Sequence, residues 1–206
     1  MRILFIAITL LFSTQALAEG DATAGQALYA TCTACHGAQG EGNKALNAPR
    51  LTHLDQVYLV AQLQKFKSGV RGGANDSATA KQMAPMAMTL ADDAAMNNVA
   101  AYIGTLSGGQ SPATVEGDAT LGADYYNQFC GACHGAGAVG NPALNSPRLA
   151  GADDWYIVSQ LESFRGNQRG SHPDDRTGRQ MIAMSAILPS DQAVRDVAAY
   201  IRSLGE

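Results

Sequence analysis

The chain has 206 residues, of which 46 % are hydrophobic, 16 % charged and 6 % aromatic, the balance of an ordinary globular protein. A net charge of −4 excludes a polycation held to nucleic acid by phosphate neutralisation. Twenty-two glycines against seven prolines, with no low-complexity tract, exclude a fibrous or disordered chain; the length allows one large domain or two small ones.

In chain order, the first predicted element is a secretory signal peptide over residues 1–18. Arg2 gives a positive start, Ile3 to Phe12 form an apolar run, and Ala16-Leu17-Ala18 ends it, with cleavage expected before Glu19. The ten-residue run falls short of a bilayer span, which needs roughly 20 apolar residues. A helix is predicted from Ala22 to Thr31, leading into Cys32 and Cys35, and the glycine-rich stretch Gly37–Gly42 reads as a loop. A second helix is predicted over Gln56–Lys67, with Tyr58, Leu59, Leu63 and Phe66 on one side. Val99, Ile103 and Leu106 share a face of a last helix, with Asp92 and Asp93 placed to cap it and complement its dipole. Residues 107–115 open with Ser-Gly-Gly-Gln-Ser-Pro and read as a linker.

The rest of the chain repeats this order. Glu19-Gly-Asp-Ala-Thr23 recurs as Glu116-Gly-Asp-Ala-Thr120 at an offset of 97, and from the first cysteine onward the offset is 98. Tyr58, Gln62, Leu63, Phe66 and Arg71 meet Tyr156, Gln160, Leu161, Phe164 and Arg169. Val99-Ala-Ala-Tyr-Ile103 meets Val197-Ala-Ala-Tyr-Ile201, with Ser190 and Asp191 at the cap. The cysteine-leading helix reappears over Ala119–Phe129 and the glycine loop over Gly135–Gly140. Strand signals are sparse, so the fold class is all-α: two self-contained domains, 19–106 and 116–206. Units this small and this poor in aromatics lack the side chains for a large core, which leaves room for an apolar group in the middle.

Cys32-Thr-Ala-Cys35-His36 and Cys130-Gly-Ala-Cys133-His134 are both C-x-x-C-H, the pattern that attaches a c-type haem. Each thiol adds to one vinyl group of the porphyrin, two intervening residues let both sulfurs reach one edge, and the adjacent histidine lies beneath the iron. A disulfide framework would not use such close pairs as staples. A thioredoxin-like dithiol wants a βαβ setting, structural zinc wants four ligands, and an iron–sulfur cluster wants four cysteines per centre. Two covalently bound haem c groups are therefore expected, with His36 and His134 as proximal iron ligands.

For the opposite face of the iron, histidine fails the repeat. His53 maps onto Gly151 and His172 onto Ala74, and both are read as surface or loop residues. Methionines recur in register: Met83 and Met181 lie 47 residues after their proximal histidines, Met86 and Met184 lie 50 after. Spacing alone does not choose within each pair. A thioether opposite histidine leaves no open position, favours ferrous iron and suits outer-sphere electron transfer.

With C-x-x-C-H near the start of each unit, a Pro-containing loop and a methionine before the last helix, each unit resembles a class I cytochrome c domain. Two in tandem behind a signal peptide resemble the bacterial dihaem cytochrome c4 family over the whole mature chain. The resemblance implies that the axial methionine is the one seven residues before the leucine opening the last helix, here Met83 before Leu90 and Met181 before Leu188. It also implies that the Pro49 and Pro147 carbonyls accept the Nδ1–H of His36 and His134. Arg50 and Arg148 would pair with haem propionates or stand solvated, and the domains would meet about a pseudo-two-fold axis. Ala91 and Pro189 stand where the family often has a capping serine, a place that Asp92 and Ser190 can take.

The expected function is a periplasmic, non-enzymatic electron carrier between redox proteins, from a quinol-oxidising complex to a terminal oxidase, with room for loose membrane association and no role for nucleic acid. The alternative is a dihaem subunit of a dehydrogenase such as a sulfide-oxidising flavocytochrome; a small dihaem peroxidase is disfavoured by the matched methionines. Residues 19–115 hold six basic and seven acidic side chains, residues 116–206 seven and eleven. This asymmetry suits a different partner at each domain.

Overall fold

A computed structural model describes residues 20–205. The signal-peptide expectation lies outside the described residues. Among them there are no strands, only the isolated bridges Asn43–Ala48 and Asn141–Ser146, so the chain is all-α.

Each half builds the same order of helices. In the first, α1 (Ala22–Tyr29) leads into the one-turn α2 (Thr33–His36), followed by α3 (Gln56–Lys67), α4 (Ala78–Met88) and α5 (Asp93–Ile103). In the second, α6 (Ala119–Tyr125), α7 (Gly131–His134), α8 (Asp154–Arg165), α9 (Arg176–Ala186) and α10 (Asp191–Ser203) repeat it. Short side chains start most of them. Asp21 and Asp118 accept from the first amides of α1 and α6, and Asp92 and Ser190 cap α5 and α10 as predicted.

The helix predicted over Ala22–Thr31 ends at Tyr29, two residues early, and the one predicted over Ala119–Phe129 gives way at Tyr126 to a π-helical turn, Tyr126–Cys130. The second difference has a cause in the sequence. Tyr29 and Tyr126 are the last residues at offset 97, and Cys32 and Cys130 the first at 98, so the second unit carries one extra residue between them. A π turn spends one residue more per turn than an α turn and absorbs the insertion without moving what lies on either side.

Helices α4 and α9 have no counterpart among the predicted elements. Pro85 interrupts one and Gly178 sits in the other, and each breaks a helical pattern read from sequence. Both helices form because they are capped, by Ser77 and Asp175, and because α3 and α8 cover one side of them.

The first and last helices of each unit cross at glycine. A Cβ on Gly25 would lie 2.0 Å from the Asn98 carbonyl oxygen, and one on Gly122 1.9 Å from that of Asp196. The crossing is locked by side chains: Asn98 Oδ1 accepts from the Asp21 amide and Asp196 Oδ1 from the Asp118 amide, both at 2.8 Å. Beneath it the first core gathers Tyr29, Leu59, Leu90, Met96, Val99 and Ile103. The second gathers Tyr126, Ile157, Leu188, Val194, Val197 and Ile201.

Candidate haem-binding sites

Each C-x-x-C-H segment is a single helical turn stopped by glycine. Gly37 (φ 81°) and Gly135 (φ 80°) follow the histidines in a conformation that side chains other than glycine's rarely adopt. The stop is tied down by tyrosine. Tyr29 donates from its hydroxyl to the Gly37 carbonyl at 2.8 Å, and Tyr126 to Gly135 at 2.7 Å, each ring resting against Tyr102 or Tyr200. Sequence reading missed these two tyrosines because they lie on the far side of the one-residue insertion from the cysteines; aligning them at 97 would have paired them.

His36 and His134 are buried, and their Nδ1 atoms lie 2.8 and 2.9 Å from the carbonyl oxygens of Pro49 and Pro147. A carbonyl only accepts, so Nδ1 carries the proton and the Nε2 lone pair is left for a metal. Burial pushes both imidazoles down in pKa, and the bond to the proline carbonyl offsets part of that. Both are thus neutral near pH 7, the form in which imidazole binds iron.

All four cysteines are free thiols, Cys32 and Cys130 partly buried, Cys35 and Cys133 exposed. Burial raises the Cys32 pKa; burial and the neighbouring Cys133 push Cys130 up to about 11. A disulfide-exchange dithiol needs a lowered pKa, so these pairs are poorly suited to that chemistry. Among the described residues no three His, Cys, Asp or Glu side chains converge as a metal cluster, which also disfavours zinc.

The methionines of α4 divide by burial. Met83 packs against Phe66, Ala80 and Ala87, whereas Met86 is 45 % exposed. On α9, Met181 and Met184 are both half-buried.

The two units meet along a polar seam. Arg71 donates to Gln62 of its own unit at 2.7 Å and to Gln160 of the other at 3.1 Å; Arg169 donates to Gln160 at 2.6 Å and to Gln62 at 3.2 Å. These four residues are repeat mates, so the ring is self-complementary, the signature of a local two-fold axis. Arg71 and Arg169 each also lie over a phenylalanine, Phe66 and Phe164. Lys65 pairs with Asp175 across the seam at 2.7 Å, and Arg50 reaches from one unit to the Gly151 carbonyl of the other at 2.9 Å. Arg148 stays within its own unit, bonding the Ala150 carbonyl at 3.2 Å.

His53 lies in the loop before α3, as expected, yet it is buried, 7 % exposed. The reason is the seam, which covers this loop with the Gly151 turn of the other unit. His172, half-buried beside Asp174, is a loop residue as expected. The predicted linker is a fixed strap. Ser111 bonds Asp153, Thr114 and Val115 bond Asp154, and Gly108 is held from the first unit by Gln39 and Thr52.

The residues fit a covalently held haem. Each unit presents a thiol pair on one turn and a neutral histidine with Nε2 available. The seam adds cationic or polar groups whose buried Arg71 Nε and His53 Nδ1 have no protein partner, as an incoming anionic group requires.

Comparison with known proteins agrees. The cytochrome c family model matches residues 22–107 and again 119–205. The chain is 32 % identical to cytochrome c4 of Azotobacter vinelandii over 96 % of this chain and 95 % of that one. It is 36 % identical, over 70 % of this chain and 67 % of that one, to a thiosulfate dehydrogenase electron acceptor of Thiomonas intermedia. The crystal structure of reduced cytochrome c4 from Pseudomonas stutzeri superposes with a TM-score of 0.65 at 29 % identity, covering 88 % of this chain and 97 % of that one. Two matched domains, two complete attachment motifs and near full-length likeness carry one conclusion: the chain belongs to the cytochrome c family, as a dihaem electron-transfer member of the cytochrome c4 kind.

Proposed function

We propose that the protein is a periplasmic dihaem carrier that passes electrons by outer-sphere transfer from a quinol-oxidising complex to a terminal oxidase. The observation that carries this reading is the duplicated site, in which a buried histidine fixed by a proline carbonyl is matched in both units by a methionine at the same spacing. Cys32, Cys35, Cys130 and Cys133 would hold the two groups as thioethers. His36 and His134 would bind iron on one face, oriented by Pro49 and Pro147, and Met83 and Met181 on the other. The inward packing of Met83 against the exposure of Met86 supports that choice in the first unit, and the repeat carries it to the second. The haem supplies a reversible one-electron couple. With methionine bound at both irons, no position would be left open to oxygen or peroxide.

The domains would run over 19–106 and 116–206, joined by 107–115, and export would follow from the 1–18 leader. No helix among the described residues is long and apolar enough to cross a membrane. A second reading, in which the donor is a dehydrogenase, is favoured by the Thiomonas intermedia relative, a thiosulfate dehydrogenase electron acceptor.

The test begins with the purified protein: a pyridine haemochrome count of two per chain, and the weak long-wavelength charge-transfer band of thioether-ligated ferric haem. Met83→Ala and Met181→Ala are each expected to lose their share of that band, and Met86→Ala and Met184→Ala to keep it. A high-spin site that binds carbon monoxide in the native protein would defeat the carrier reading at that domain. Stopped-flow reduction by a purified quinol-oxidising complex, set against reduction by a thiosulfate-oxidising dehydrogenase, separates the two donors by rate.

A further inference from the structure

His53 breaks the repeat at the place where the repeat closes on itself. Its mate at offset 98 is Gly151, and the two face each other across the seam: a Cβ on Gly151 would lie 3.3 Å from the His53 Cβ and 3.4 Å from Arg50 Nη1. The missing side chain at Gly151 is what makes room for the imidazole. His53 is more than nine-tenths buried, yet its Nδ1 has no hydrogen-bond partner. An orphaned buried polar group of this kind is destabilising, so a partner absent from the polypeptide is called for.

The neighbours define that partner's charge. Burial, joined by the charges of Arg50 and its repeat mate Arg148, pushes the His53 pKa down to about 3. The imidazole is therefore neutral and can donate through one nitrogen, in surroundings that reject a cation and favour an oxyanion. The polypeptide's own acid here is already used: Asp153 accepts from both the amide and hydroxyl of Ser111.

We propose that Nδ1 of His53 donates a hydrogen bond to a haem propionate carboxylate at the seam, an anchor present in one unit only, which makes the two haems inequivalent. This rests on the haem reading of the two cysteine motifs. His53 is a positioning residue in this role, since it acts on the potential through the carboxylate and does not touch iron.

The test uses the full chain with its haems attached, comparing wild type with His53→Gly, which copies Gly151, and His53→Gln, which keeps a donor. Fewer than two haems in the wild-type pyridine haemochrome assay would defeat the underlying haem reading, independently of His53. With two haems present, His53→Gly is expected to shift the propionate-bending band in the resonance Raman spectrum. It should also lower the potential of one haem while the other holds, because a carboxylate without the donated hydrogen bond keeps its full negative charge and so favours ferric iron; His53→Gln should restore both. A His53→Gly variant with both signals unchanged, even if less stable, overturns the proposal. So does a wild-type potential that moves on titration with inorganic phosphate, which would identify a free anion as the partner.

Discussion

Asp154 is the side chain on which the strap depends most. It is 1 % exposed, and its carboxylate accepts from the amides of Thr114, Val115 and Trp155 and from the Thr114 hydroxyl, at 2.7–3.0 Å. Burial alone would raise its pKa; these donors overcome that and hold it below the ordinary carboxylate range. A depressed folded pKa stabilises the protein fully above the unfolded value of about 3.9, and the gain drains as pH falls through the lower folded value. Asp154→Ala should cost about 1–3 kcal/mol at pH 7 by stranding those donors, or ~2–4 °C in Tm for each kcal/mol. Melting both proteins at pH 7 and again at pH 3 checks this: the gap should narrow in acid, and a pH-independent gap would refute the ionic account. Nothing in the local pattern around residue 154 announces this role, because its partners on the strap lie 39 and 40 positions back in the chain.

At the scale of elements, the helix crossings decide where each core can close. Gly122 sits where α6 touches the backbone of α10, so a methyl group there meets a carbonyl oxygen at 1.9 Å and one of the helices must move. Gly69 is the useful contrast: its φ is +77°, but a Cβ would meet nothing within 4 Å. Gly69→Ala should cost the ~1–2 kcal/mol of a left-handed alanine. Gly122→Ala should cost about 3 kcal/mol or more, at the upper end of overpacking, and should reduce attachment at Cys130 and Cys133. Denaturant unfolding of both variants orders them, and equal costs would show that the crossing yields. The helices with clean periodicity, α3, α5 and α10, were legible in sequence, whereas α4 and α9 were hidden by Pro85 and Gly178 and exist because a neighbouring helix covers them.

For the whole molecule, the seam is held by bonds between residues about a hundred positions apart. Lys65 and Asp175 form its ion pair, with side chains 24 % and 4 % exposed. Burial opposes the Asp175 charge, and the bonds from Lys65 and the Gly178 amide keep its pKa below the usual range. Lys65→Met removes the charge partner of that carboxylate, which keeps bonds from Gly178 and Thr177, and should cost about 1–3 kcal/mol. The double variant Lys65→Met/Asp175→Asn should cost less than the sum of the singles by roughly 1.5 kcal/mol or more. Calorimetry of the four proteins measures the cycle; additive losses would mean that the pair does not join the units. The same variants should resolve one melting transition into two, since the seam couples the domains.

What the sequence determined by itself is the local chemistry and its duplication. A C-x-x-C-H turn needs only five consecutive residues, and the repeat of Tyr58, Gln62 and Arg71 at 156, 160 and 169 is visible in the letters because each copy folds by the same short-range rules. The histidine–proline bonds followed from family likeness and reappear in the geometry. Only the tertiary structure decided what depends on two copies meeting: the burial of His53 against Gly151, the arginine–glutamine ring, and the strap pinned by Asp153 and Asp154. Those contacts join residues whose proximity is set by how whole helices stack, and stacking is fixed by summed packing and by glycines at crossings, which no window of sequence contains.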